Sequence, residues 1–127
     1  MIHNSDSTQI ERWVGKASVL MYSKGQITFS KTATRQLKLT PYKDRIEFYQ
    51  DDKGGKKWKF RITKKLNGFL VKAISNGAIA VLYAKPVVVK IKEALGATDC
   101  EALSFTIDTK PDKEGWFTIS TKDIKKK

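Results

Sequence analysis

The sequence predicts a sheet-rich α+β fold, built from two tandem β-β-α-β-β units that pack about a pseudo-twofold axis. Three observations lead to this prediction: strand-length runs of alternating apolar and polar residues, two stretches with helical spacing, and a second half that repeats the order of the first. The 127 residues are enough for one domain with its own core. We therefore predict a mobile N-terminus (1–10), a single domain (11–124) made of repeats at about 11–65 and 66–124, and a basic tail (125–127).

The first half reads as strand, strand, helix, strand, strand. β-Branched and aromatic residues indicate a strand over 17–22, a turn follows at 23–25, and "QITFS" resumes the extended pattern. "KTATRQLKL" predicts a short helix that begins near Lys31, with Ser30 as its N-cap and Pro41 preventing its extension. "RIEFYQ" and "KKWKFRIT" flank the turn signal "DDKGG" and so predict a β-hairpin.

The second strand of this hairpin separates apolar from cationic side chains. Its alternation puts Trp58, Phe60 and Ile62 on one face, which we predict to be core. The opposite face carries Lys57, Lys59 and Arg61. Alternate residues of a strand are about 7 Å apart, close to the phosphate repeat of an extended single strand. The cationic face is therefore a candidate nucleic-acid-binding surface.

The second half repeats this order with a longer helix. "SNGAIAVLYAKP" follows "SKGQITFSKTA" by 52 positions, and "LSFTIDTKPDKEGWFTIS" follows "IEFYQDDKGGKKWKFRIT" by 57. Between them, "PVVVKIKEALG" predicts a helix with Pro86 in its first turn and Gly96 at its end. Residues 1–65 hold 15 basic and six acidic side chains, against 10 and seven in 66–127. We therefore expect the first half to carry most of any anion-binding face.

The segment "SKGQITFSKTATRQLKLTPYKDRIEFYQDD", residues 23–52, resembles the AbrB/SpoVT/MazE family of swapped-hairpin DNA-binding domains. The shared features are Ser-Lys-Gly-Gln-Ile-Thr at 23–28, a short helix with Arg35 and Leu37, a turn with Pro41 and Asp44, and Arg-Ile-Glu-Phe at 45–48. The match covers about thirty of the 127 residues.

This resemblance implies interlocked βαβ units and a transcription-regulator-like protein that binds duplex DNA near its first hairpin and helix. Lys24, Lys31 and Arg35 are the DNA contacts that the resemblance implies. Lys38, which follows the same helix, is a further candidate phosphate contact.

Three positions depart from the family pattern. Ser30 replaces a proline, and Lys38 and Lys43 replace glycines. Because those glycines occupy positions where positive φ is convenient, lysine there predicts backbone strain or a different turn.

Composition favours a polyanionic partner. The formal net charge is +12, from 25 basic and 13 acidic side chains, and each phosphate that a cation neutralises releases a counterion. We expect the partner to be nucleic acid, DNA rather than RNA, and self-association into a homodimer is a further option. No run is long and apolar enough for a membrane span and no signal peptide is visible, so we expect no membrane partner and a cytoplasmic location.

Catalytic chemistry has few candidates. His3 and Cys100 are the single histidine and cysteine, so neither a Ser/His or Cys/His arrangement nor a metal-ligand cluster is expected. Acids near Asp51, Asp108 and Asp112 fit turns, and no glycine-rich phosphate loop is present. We therefore predict a non-enzymatic protein without cofactor or metal.

Three functions remain open from the sequence. Duplex DNA binding predicts basic residues clustered at one edge of the fold, with Arg able to reach base edges. Single-stranded nucleic-acid binding predicts aromatic residues exposed among lysines on an open sheet face. Such a protein would be similar in layout to the PUR-repeat and Whirly proteins. A non-binding scaffold or assembly domain predicts instead a large apolar surface patch.

Overall fold

One antiparallel sheet dominates the protein. The computed structural model describes residues 16–50, 57–74 and 77–126, with side chains described as far as residue 121. In these ranges the strands are β1 (Ser18–Tyr22), β2 (Gln26–Phe29), β3 (Arg45–Gln50), β4 (Trp58–Thr63), β5 (Phe69–Leu70), β6 (Lys72–Ile74), β7 (Ile79–Tyr83), β8 (Ala102–Ile107) and β9 (Trp116–Lys126). The helices in the same ranges are α1 (Lys31–Gln36) and α2 (Lys85–Ala94).

The sheet curves into a nearly closed barrel. Its strand order is β5-β3-β4-β9-β8-β1-β2-β7-β6. The two end strands, β5 and β6, are separated in the chain by Val71 alone, so the chain itself brings the two edges of the sheet together. Val71 is fully buried, its N–H donates to the Asp44 carbonyl at 3.0 Å, and its carbonyl accepts from the Tyr42 N–H at 2.7 Å. Val71 therefore closes the barrel against the loop that precedes β3.

This architecture shows that the predicted fold class is wrong. Two tandem β-β-α-β-β units would give each half its own sheet, whereas here the strands of the two halves are interleaved. In the single sheet, β9 pairs with β4, β8 with β1, and β7 with β2, all antiparallel. The helices are short and the protein is sheet-dominated rather than α+β. The apolar alternation locates strands but does not specify their partners, which is why the sequence suggested separate units.

Most individual elements lie where the sequence predicts them. Ser30 caps α1, because its Oγ accepts from the Ala33 N–H at 3.1 Å. The helix α2 has a proline in its first turn, and Gly96 follows it with φ +66°. The β3–β4 hairpin is confirmed by six residue pairs, from Arg45↔Thr63 to Gln50↔Trp58. Its turn, the segment 1–10 and the final lysine lie outside the described residues.

The barrel interior is aromatic where β4 crosses it. Phe60 is fully buried, and its ring stacks on Phe117 at 5.2 Å and meets the edge of Phe29 at 5.6 Å. Phe60 and Phe117 are also directly opposite each other in the β4–β9 register. Trp58 is 4% exposed, which confirms the prediction that the apolar side of this strand is core. Each such buried side chain contributes about 1.5–3 kcal/mol and fixes which residues of β4 face outward.

Candidate nucleic-acid interface

The outer surface of β3, β4 and β9 combines aromatic rings with cations. We call it the aromatic–cationic face, and it consists of Lys57, which directly precedes β4, together with Glu47, Tyr49, Lys59, Arg61, Trp116 and Thr118. Register places Lys59 opposite both Tyr49 and Thr118, and Arg61 opposite both Glu47 and Trp116. The face exists because the alternate residues of the same strands are committed to the core.

The ammonium group of Lys59 lies beside two aromatic rings. Its Nζ is 5.0 Å from the centroid of the Tyr49 ring and 5.5 Å from that of Trp116. The rings themselves are 5.8 Å apart and tilted by 54°. Cation–π attraction at these distances holds the ammonium beside both rings. Tyr49 is 43% exposed, so much of its ring remains accessible to a ligand.

Arg61 has a different role from its neighbours on β4. Its Nε donates to Glu47 Oε1 at 2.7 Å, and its Nη2 also contacts that oxygen. The guanidinium carbon lies 4.4 Å from the centroid of the Trp116 ring. The ion pair with Glu47 fixes the guanidinium in place, and the fixed guanidinium in turn orients the Trp116 ring beside it. Lys59 on β4 and Lys57 just before it have no ion pair with any described residue, so their charges are unpaired there.

The loop before β9 fixes the backbone of Trp116. Asp112 Oδ1 accepts from the N–H groups of Glu114 and Trp116, both at 2.9 Å, and the Asp112 N–H donates to the Trp116 carbonyl at 2.8 Å. The hydrogen bond from the Trp116 N–H is the main cause that lowers the pKa of the Asp112 carboxyl, with a smaller contribution from the Lys59 charge. The ionised carboxylate thus closes the turn, as the sequence predicted for this acid.

A cleft of about 640 Å³ opens beside the aromatic–cationic face. Its polar and aromatic lining includes Tyr49, Lys57, Lys59, Asp108, Thr118 and Ser120. The buried side chains of Trp58 and Ile119 also line it. A space of this size is large enough to admit one nucleobase.

The remaining predicted site residues lie away from β4. Lys24 is exposed in the β1–β2 turn, Lys31 and Arg35 are exposed on α1, and Lys38 is exposed just after that helix. None of them makes an ion pair within the part of the chain that the structure describes. The helix α1 packs against β1, β2 and β7, whereas the β4 cations lie with β3 and β9. The structure therefore places the predicted site residues in three places: along β4, around α1 and, for Lys24, in the β1–β2 turn at the other end of β2.

Two backbone positions near α1 are strained. Lys38 has φ +53°, a left-handed conformation that is unfavourable for lysine, so backbone strain is present at this position. Lys43 is not among the residues with positive φ; the preceding Tyr42 has φ +65° instead, which is a different turn, the other alternative expected there. The hydrogen bond from Tyr42 to Val71 at the barrel closure holds this conformation.

Sequence reasoning missed Trp116 and left Tyr49 unassigned. A signal for Trp116 was present, because "GWFTIS" alternates and the burial of Phe117 and Ile119 forces Trp116 and Thr118 to the outer side. What the sequence did not show was that β9 lies beside β4, which brings this tryptophan next to Lys59 and Arg61.

The described ranges contain neither a metal-binding cluster nor a membrane-spanning helix. No group of three or more His, Cys, Asp or Glu residues there could hold a metal ion. No helix within residues 16–50, 57–74 and 77–126 is long and apolar enough to cross a membrane.

No protein-family model, curated protein or solved structure matches this chain.

Proposed function

We propose that this protein binds single-stranded nucleic acid, DNA in preference to RNA, on the aromatic–cationic face. The observation that carries the proposal is the cluster formed by Tyr49, Trp116 and Lys59 on an outer sheet surface, where the two ring centroids are 5.8 Å apart and Lys59 Nζ lies within 5.5 Å of both. Single-strand binders combine aromatic platforms for bases with cations for the phosphate backbone. This face supplies both within three adjacent strands.

Each group on the face has a distinct task in this mechanism. The bases stack on Tyr49 and Trp116, and base–aromatic stacking contributes about 1–3 kcal/mol per base. Lys57 and Lys59 neutralise phosphates and release counterions. Arg61 remains paired with Glu47 and holds the Trp116 ring in place.

A fluorescence-anisotropy titration tests the proposal. A labelled single-stranded oligonucleotide and its matched duplex are titrated at two salt concentrations. We expect the single strand to bind more tightly and its affinity to fall steeply with salt. Tyr49→Ala should weaken single-strand binding by about tenfold, since it removes one stacking surface.

Tyr83→Ala is the matched control, because Tyr83 is 62% exposed on β7, away from the face. Its affinity should equal that of the wild type. Equal affinities for the Tyr49 variant and the wild type would contradict the assigned site. Absence of binding to either nucleic acid at low salt would contradict the function and favour the scaffold hypothesis.

Duplex DNA binding is a second candidate, favoured by the cations around α1. Lys31 and Arg35 are four positions apart on one face of the helix, and both are exposed and unpaired among the described side chains. The triple variant Lys24→Ser, Lys31→Ser, Arg35→Ser tests it against Lys57→Ser, Lys59→Ser, Arg61→Ser. A larger loss in the first variant, together with tighter binding of the duplex, would assign the function to α1.

A further inference from the structure

The cleft beside Tyr49 contains an unpaired carboxylate. Asp108 follows β8, and its backbone N–H donates to the Thr118 carbonyl at 3.0 Å, which anchors it beside β9. Its side chain is exposed and makes neither a hydrogen bond nor an ion pair with any residue that the structure describes. The same cleft contains Lys57 and Lys59.

A carboxylate is unfavourable in a site that contacts only phosphates. An ionised carboxylate repels the phosphate backbone of a nucleic acid, and it can only accept hydrogen bonds. It becomes favourable where a ligand presents N–H donors, as the edges of certain bases do. The hydroxyls of Thr118 and Ser120, which line the same cleft, can donate to a neighbouring base carbonyl.

We propose that this cleft receives one unstacked guanine, whose N1–H and N2–H groups donate to the two oxygens of Asp108. The inference rests on the proposed function, since the cleft adjoins the surface on which the other bases stack. Guanine is the base with two adjacent donors on its Watson–Crick edge, and these match the carboxylate fork as a charge-assisted bidentate pair. Adenine and cytosine offer one amino group beside an acceptor nitrogen. Thymine and uracil direct carbonyl oxygens at the carboxylate and are disfavoured.

The preference is measured with three labelled single strands of equal length. One is all thymidine, one carries a single central guanine, and one carries inosine, which lacks the N2 amino group, at that position. We expect the guanine strand to bind about tenfold more tightly than the thymidine strand, as one bidentate base contact provides. The inosine strand should lie between them. This comparison uses the wild-type protein and so remains decisive whatever the variants do.

Asp108→Asn should bring the guanine and thymidine strands to within about twofold of each other, because the amide replaces one of the two acceptor oxygens by an NH2 donor and so cannot pair with both guanine donors. Asp99→Asn removes the same charge from the connection between α2 and β8 and should retain the full preference. Equal wild-type affinities for guanine and thymidine strands, or an undiminished preference in the Asp108 variant, would overturn the guanine assignment while leaving single-strand binding intact. Failure to bind any of the three strands would instead overturn the proposed function.

Discussion

Lys59 and Arg61 occupy equivalent outward positions on β4, yet their surroundings give them different roles. Register places Glu47 across from Arg61 and Tyr49 across from Lys59, so only the arginine meets a carboxylate. An ion pair that is partly exposed contributes little to stability, but it fixes the direction of the guanidinium above Trp116. The lysine keeps its charge available for a phosphate. Residue type and strand face alone therefore do not distinguish a paired cation from an unpaired one; the cross-strand neighbour does.

The Asp112 turn gives a pH-dependent prediction at this same scale. The pKa of this carboxyl is lowered in the folded protein, chiefly by the hydrogen bond from the Trp116 N–H. A lowered folded-state pKa means that the stabilisation is fully present above the unfolded value of about 3.9 and is lost as the pH falls through the folded value. Asp112→Ala should therefore be less stable than the wild type at neutral pH, and this difference should shrink in acid.

Urea unfolding of both proteins at pH values from about 7 down to below 3.9 measures this difference. Asp99→Ala is the control, since no described backbone N–H donates to the Asp99 carboxylate, and it should lower the stability at neutral pH less than Asp112→Ala does. A constant gap between the Asp112 variant and the wild type across the whole range would contradict the role given to the carboxylate.

At the scale of elements, Ser30 joins α1 to β1. Its Oγ accepts from the Ala33 N–H in the first turn of the helix and from the Ser18 N–H at the start of the strand, both at 3.1 Å. Ser30→Ala should lower the free energy of unfolding by about 1–2 kcal/mol, because two backbone donors lose their acceptor. Ser104→Ala, a half-buried serine on β8, should change it by less than about 0.5 kcal/mol. Urea unfolding measures the free energy of unfolding of both variants, and equal losses would contradict the capping role of Ser30.

Elements with strong local signals were predictable. The cap at Ser30, the proline and glycine at the ends of α2, and the alternation in β3 and β4 are each decided by neighbouring residues. The strands β5 and β6 were not individually predicted, because they have two and three residues and form where the barrel closes. The candidate site divides in the same way. Its cations were found from the alternation of one strand, but its second ring, Trp116, comes from a strand whose position no local pattern reveals.

At the scale of the whole molecule, the interleaving of the halves creates the site. The aromatic–cationic face needs β9 beside β4, and the cleft needs the end of β8 beside β9. Two self-contained units would have left Trp116 and Asp108 in one unit and Lys59 in the other. The register that unites them is set by core pairs such as Phe60↔Phe117, since a slip of one residue would turn these side chains outward.

For a protein with a net charge of +12, nucleic-acid binding would depend either on the positions of particular cations or on the total charge. For single strands, the slope of log affinity against log salt changes by about 0.7 for each neutralised phosphate. Lys57→Ser with Lys59→Ser should therefore make the slope shallower by about 1.4. Lys31→Ser with Arg35→Ser removes the same charge from α1 and should leave the slope unchanged. Equal changes of the slope in the two variants would show that the molecule attracts the strand through its overall electric field. A shallower slope in the Lys57/Lys59 variant alone would place phosphates on the aromatic–cationic face.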